Sequence, residues 1–293
     1  MASLTEQFSD QLALVGRTWR LFTLDVVGLL LASALILVTA TIVVNIVGVP
    51  LAATGLIHNG LADRAWAGLA FAAIGGPLVG GLCAMLLHMV RQGSRVPARA
   101  VFHGYRRWPT LSATGLLTVA AVTLTDAYQW PGQGALRLLA VPGFALAVGV
   151  VYVLPTAVDR GAGFRRAVSI AVRLLRKGEL GRTAVGVAFL VLAEALCEGL
   201  PRALLGASAA IAIGLSITFV ALPLVAGYVT CMYLRACNLD HLIDETFASG
   251  LATRSAQESA SRRRHLPKWA VATLAVVGIV VVVSLVVQAI LRP

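Results

Sequence analysis

VVGLLLASALILVTATIVVNIVGV, residues Val26–Val49, is a run of 24 residues without one charged side chain. Wound as an α-helix at 1.5 Å per residue, it is roughly 36 Å long, enough to cross a hydrocarbon core of about 30 Å. Its apolar residues do not alternate with polar ones, so a barrel strand, which shows lipid on one side and lumen on the other, is a poor fit. The backbone groups of such a run must be satisfied within the run itself, and only a helix does that.

Outward from this stretch, similar runs cover Ala67–Val90, Thr110–Thr125, Leu136–Val158, Thr183–Gly199, Ala203–Leu234 and Trp269–Leu291. The whole chain of 293 residues is 58% hydrophobic and only 13% charged, about half the charge of an ordinary soluble domain. The sequence therefore predicts an all-α, polytopic transmembrane bundle of about seven spans. The N-terminal segment carries Glu6 and Asp10 and lacks the basic start of a cleaved signal, so the first span is expected to be retained.

The net charge of +11 would suit a nucleic-acid binder, but its distribution points elsewhere. Counted over seven spans, 20 of the 24 lysines and arginines fall on one side, leaving Arg64, Arg137, Arg202 and Arg292 on the other. That is the bias of cytoplasmic loops. It predicts a cytoplasmic N-terminus and an external C-terminus, with attraction to anionic lipid as a second effect and no nucleic-acid partner.

Three basic, amphipathic segments each lead into an odd-numbered span. In LTEQFSDQLALVGRTWRLF, Leu4, Phe8, Leu12, Val15 and Trp19 recur at spacings of three and four. VPARAVFHGYRRW follows at Val96–Trp108, with Arg106 and Arg107. GFRRAVSIAVRLLRKGEL sets Phe164, Val168, Ala171 and Leu175 against Arg165, Arg166, Arg173, Arg176 and Lys177. Such segments suit the interface plane, with the basic side chains as lipid-headgroup candidates. Phe8 and Arg17 share the separation of Phe164 and Arg173. This suggests a six-span core, residues 1–234, of three helix-plus-hairpin repeats. A polar, basic connector follows at 235–268, and a valine-rich last span at 269–293 is suited to lipid contact or to a membrane protein partner.

GFRRAVSIAVRLL after VLPTAVDR, the loop FHGYRRWPTL, and ALPLVAGYVTCMYLRAC resemble a group of bacterial six-span proteins. These are the YciC-like proteins and the membrane domain found beside some glycerophosphodiester phosphodiesterases. The family's Tyr-x-x-Leu-Arg-like ending is matched in part by Tyr233, Leu234 and Arg235. The resemblance implies an envelope role in the bacterial cytoplasmic (inner) membrane. It carries over no phosphodiesterase chemistry, because the chain has no room for that catalytic domain.

Motifs for chemistry are absent from the sequence: there is no Walker loop, no G-x-S-x-G and no H-E-x-x-H. Cys83, Cys197, Cys231 and Cys237 form no C-x-x-C. Cys237, Asp240, His241 and Asp244 cluster in sequence, but one short helix rarely supplies all the ligands of a zinc site. No metal or cofactor is expected. Gly76 and Gly80, and the ladder Gly206, Ala210 and Gly214, offer small faces for close helix packing.

The exception to this quiet is FLVLAEALCEGLP, Phe189–Pro201. Glu194 and Glu198 lie one turn apart there, on a face shared with Leu190 and Arg202. Glu194 would sit about 18 Å into the bilayer, where an acid costs roughly 2.5–3.5 kcal/mol to insert. Glu198 can pair with Arg202. Glu194 needs a partner or a wet cavity, and Asn45, Asp126, Tyr128 and Tyr152 are conceivable partners. Glu194, Glu198 and Arg202 are thus the ion- or substrate-binding candidates. The leading functional expectation is a non-enzymatic envelope protein, either a partner-dependent transport-complex subunit or a lipid-handling scaffold. A proton- or cation-linked transporter or channel using Glu194 and Glu198 is the alternative, and a membrane-embedded enzyme is a third.

Overall fold

The structure, a computed structural model, describes residues 4–53, 68–125 and 136–248. All regular structure among these residues is helical. The expected last span, Trp269–Leu291, and the connector beyond residue 248 lie outside the described residues.

Helix α1 is Leu4–Leu24 and α2 is Val26–Ala53. A π-helical turn, Phe71–Gly75, leads into α3, Gly76–Gln92. The segment expected to be an amphipathic α-helix is instead a 3₁₀ helix, Ala98–Arg107, running directly into α4, Trp108–Thr125. The 3₁₀ turn Leu136–Leu139, α5 at Ala140–Val150 and α6 at Val153–Asp159 make up the next apolar stretch. Its break at Val151 and Tyr152 has a cause in the sequence: Pro155 has no N–H to offer the carbonyl four residues earlier. Helix α7, Phe164–Leu174, and the π turn Leu175–Glu179 then give way to α8, Leu180–Ala236. Among the described residues, five segments are long and apolar enough to cross a membrane: Val26–Val43, Gly68–Gln92, Ala98–Thr125, Arg137–Asp159 and Thr218–Ala236.

Helix α8 is helical at every residue, yet it is not straight. The rings of Phe189 and Tyr228 lie 5.8 Å apart, whereas a straight helix would separate those residues by roughly 58 Å. Gly186 lies against Met232 so closely that a Cβ there would be 2.6 Å from its Cε. The run therefore doubles back between residues 197 and 217, and its arms, 180–196 and 218–236, pack antiparallel. The stretch read as two spans separated at Pro201 thus forms two arms of one continuous helical run.

A three-fold pattern runs through the chain. Helices α3, α6 and the second arm of α8 are each followed by a residue in the left-handed region: Gly93 (φ 62°), Gly161 (φ 61°) and Asn238 (φ 57°). Glycine and asparagine are the residues that tolerate this conformation at a helix end. After each, the chain enters a short amphipathic segment: the 3₁₀ helix, α7, and a helix at residues 241–248. The 3₁₀ helix packs on α3, α7 packs on α6, and α1 packs on α8, closing a ring. At the closure Gln11 Nε2 donates to the Arg182 carbonyl at 2.9 Å and Tyr228 donates to Gln11 Oε1 at 2.7 Å, so one amide clamps both arms of α8.

Glycines set how closely these pieces approach. A Cβ on Gly81 would strike the Val101 backbone, and one on Gly104 would strike the Pro77 carbonyl, so α3 and the 3₁₀ helix interlock through two missing side chains. Gly76 faces the Leu111 carbonyl and Gly115 of α4, and Gly80 faces the Leu111 side chain. Gly206, Ala210 and Gly214 lie in the helical run of α8, and their packing lies outside what the structure describes.

Helix α1 buries Gln11, Leu14, Thr18 and Leu21 and leaves the stripe Phe8, Leu12, Val15 and Trp19 uncovered, with Trp19 57% exposed. The apolar face read from the sequence thus points away from the protein. The face packed on α8 carries polar groups that hydrogen-bond across it.

Candidate functional site

Helices α4, α5, α6 and both arms of α8 line a half-open cavity of about 440 Å³. Helix α4 contributes Thr118, Ala121, Val122 and Thr125, and α5 with α6 contributes Ala147, Val150, Val151 and Leu154. The first arm of α8 adds Val187, Leu190, Val191, Ala193 and Glu194, and the second adds Thr218, Ala221, Leu222, Val225 and Val229. The antiparallel doubling of α8 is what brings residues 194 and 218 to one cavity. Gly143 lets α5 press on α4 at Leu124 and Thr125, where a Cβ would collide with the backbone.

Among the described residues the wall is apolar apart from Glu194 and three threonines. The Thr118 hydroxyl donates to the Thr114 carbonyl at 3.0 Å, and Thr125 donates to Ala121 at 2.8 Å. A volume of several hundred cubic ångströms with few polar groups is the usual form of a small-molecule site. Of the sequence candidates, only Glu194 is seen at the cavity. The Glu198 and Arg202 side chains lie outside the described residues, as do Asp126, Tyr128 and the Asn45 side chain. Tyr152 is not a partner of Glu194: its hydroxyl lies 2.8 Å from Thr183 Oγ1. Because Thr183 gives its own hydrogen to the Glu179 carbonyl at 2.7 Å, Tyr152 is the donor.

A second polar site joins the three return helices at their basic ends. Asp159, its side chain 7% exposed, takes an ion pair from Arg91 Nη2 at 2.6 Å and a hydrogen bond from the Tyr233 hydroxyl at 2.8 Å. These three residues end α3, α6 and α8. Nearby, Arg235 lies 3.9 Å from both Glu179 and Asp10, and Arg182 lies 3.4 Å from both. This layer is a tie between hairpins: both oxygens of the buried Asp159 carboxylate are met, while Glu179 Oε2 and Arg235 Nε are buried without a hydrogen-bond partner. Sequence reasoning read Tyr233 only as part of the family-like ending and did not pair it with Asp159, 74 residues away.

The basic residues read as headgroup candidates divide. Arg106, Arg165, Arg166, Arg173, Arg176 and Lys177 are exposed, and on α7 they lie opposite buried Ala167, Ile170, Ala171 and Leu174. Arg107, also exposed, is engaged. Its guanidinium donates to the Ala157 carbonyl at 3.0 Å and to that of Val158 at 3.4 Å, capping the end of α6. In the connector, Asp240 and Asp244 bind Arg17 at 2.8 and 3.1 Å, and Arg20 lies over the Phe247 ring. Among the described residues no group of His, Cys, Asp and Glu could hold a metal ion.

Compared with known proteins, the chain matches no family model, no curated protein and no solved structure.

Proposed function

We propose that this chain is a non-enzymatic, multi-pass protein of the bacterial cytoplasmic membrane that holds a lipid-like molecule between its helices. The carrying observation is the cavity of about 440 Å³ bounded by α4, α5, α6 and the two arms of α8, apolar among the described residues but for one acid and three hydroxyls. A soluble metabolite would find few partners there, whereas an alkyl chain would find many. The arrangement in the bilayer that goes with this reading has a cytoplasmic N-terminus, six core spans in three hairpins, and a seventh span, Trp269–Leu291, for anchoring or a protein partner. Support comes from the one-sided distribution of Lys and Arg. The uncovered stripe Phe8, Leu12, Val15 and Trp19 fits a helix lying at the interface. The exposed basic face of α7 suits anionic headgroups on the same side. An envelope role is also what the resemblance to YciC-like proteins implies.

Native mass spectrometry of the protein, extracted gently from its own membrane, tests this reading. The expected result is a retained amphiphile that is lost when Val122→Trp or Val225→Trp fills the cavity. A stoichiometric protein partner without a cavity-dependent adduct would replace lipid handling with the subunit reading. A bare protein in every variant would defeat the cavity reading.

Glu194 favours one second reading, a proton- or cation-linked transporter. Glu194→Gln would then abolish flux in proteoliposomes while leaving the protein monodisperse.

A further inference from the structure

We propose that Arg17 and Arg20 form a latch opened by anionic lipid: phospholipid headgroups compete with Asp240 and Asp244 for the two guanidiniums and free the helix at residues 241–248. This goes beyond the cavity and rests on the interfacial placement of α1 stated above.

The polar ties at the basic ends differ in depth. Asp159 is 7% exposed, which gives an outside ion little access to its ion pair. The latch is shallower, its four side chains being between 25% and 52% exposed. Arg17 meets Asp240 at 2.8 Å and Asp244 at 3.1 Å, and Arg20 meets Asp244 at 3.3 Å. The Arg20 guanidinium also lies 5.5 Å from the centre of the Phe247 ring. On α1, Arg20 follows Trp19, the last residue of the uncovered apolar stripe, and Arg17 lies about one turn away. A helix that sets Trp19 in the acyl boundary therefore carries both guanidiniums at headgroup level. Asp240 and Asp244, with the exposed Glu245 beside them, would meet the same anionic surface as like charges. The competing attractions are of similar size. A partly exposed ion pair, and a basic side chain near an anionic surface, are each worth up to about fivefold in an equilibrium, so lipid composition can decide between the two partners. Neutral contacts add to the attachment: Ile243 is buried, and Thr246 donates to the Val90 carbonyl of α3 at 2.6 Å. They favour the docked helix in a neutral bilayer.

The test uses the full chain in nanodiscs of phosphatidylcholine, alone or mixed with phosphatidylglycerol, at one ionic strength. Thermolysin cleavage within residues 241–248 is the readout, and it follows the population of the lifted helix when reclosing is fast. The expected result is cleavage about fivefold or more faster in the anionic discs. Asp240→Asn with Asp244→Asn, in which the latch is already broken, should be cut fast in both and calibrates the protease at each surface. Arg20→Gln should bring the ratio toward one, whereas Arg165→Gln with Arg166→Gln on α7 should leave it unchanged. A wild-type ratio of one after calibration, or equal loss of the ratio in the α1 and α7 variants, would overturn the latch. A nitroxide at Leu12→Cys in the same discs separates the two failures. If it is shielded from water, α1 keeps its place and only the latch falls; if it is water-accessible, the interfacial placement falls as well.

Discussion

Tyr233 donates its hydroxyl to Asp159 at 2.8 Å, so the last turn of α8 is fastened to the last turn of α6 by a carboxylate that also holds Arg91 of α3. One aspartate thus joins the ends of all three return helices.

Removing that carboxylate leaves a guanidinium and a phenol facing a gap. Asp159→Ala is expected to destabilise the fold by about 3 kcal/mol, the lower part of the range for a broken buried pair, because Arg91 is partly exposed. Tyr233→Phe keeps the ion pair and should cost only about 1–2 kcal/mol. Thermal unfolding in detergent, followed by size-exclusion chromatography, would rank the two. Equal losses would contradict the central place of Asp159.

The glycine interlock gives a sharper contrast. Gly81→Ala or Gly104→Ala drives a methyl into backbone that cannot rotate away, and each is expected to cost at least about 3 kcal/mol or abolish folding. Gly16 in α1 has nothing within 4 Å of the added methyl, so Gly16→Ala should be neutral or stabilise by up to about 1 kcal/mol through helix propensity. Expression and melting temperature of the three variants decide it.

Arg17 joins α1 to the connector. Burial alone would lower its pKa, but the carboxylates of Asp244 and Asp240 outweigh that and raise it above its ordinary value. A raised cationic group contributes stability that is full below its unfolded pKa and is lost only as pH rises through the folded one. The connector should therefore stay protected from protease up to pH values far above any physiological one. High salt, or Arg17→Ala, should loosen it, since the pair is partly exposed and worth about 1 kcal/mol or less. Limited proteolysis around residues 241–248 reads this directly.

The stripe on α1 gives a test of membrane placement. Nitroxide labels at Leu12→Cys and Trp19→Cys should be accessible to oxygen and shielded from a water-soluble relaxant, and labels at Glu6→Cys should behave oppositely. Water-accessible labels at all three positions would remove α1 from the interface.

Much of the architecture could be read from apolar runs because a bilayer demands them: Val26–Val49 is legible by length alone. The stripe on α1 was legible too, since spacings of three and four mark one helix face. Its partner was not, because the face that packs on α8 is led by Gln11, whose contacts are 171 and 217 residues away. The pairing of Asp159 with Tyr233 escaped notice for a related reason. Each sits at a span end, where a polar residue is unremarkable, and only folding brings them together. The cavity had no sequence signature beyond Glu194, since valines and alanines lining a space look the same as valines and alanines filling a core. The two arms of α8 were expected as two spans, Thr183–Gly199 and Ala203–Leu234, but the continuation of helical backbone from one to the other was not.

The closing of the ring by α1 has a consequence for biogenesis. The 3₁₀ helix and α7 each dock on a hairpin that has already left the ribosome, so those units can settle as they emerge. Helix α1 is made long before its seat on α8, which exists only after Tyr228 has been synthesised, 217 residues after Gln11. On the interfacial placement proposed above, its underside, with Gln11 and Thr18, would wait until then in the headgroup layer, held by Phe8, Leu12, Val15 and Trp19. Helix α1 is translated well before the helix that receives it, so its docking should be among the slowest steps of assembly.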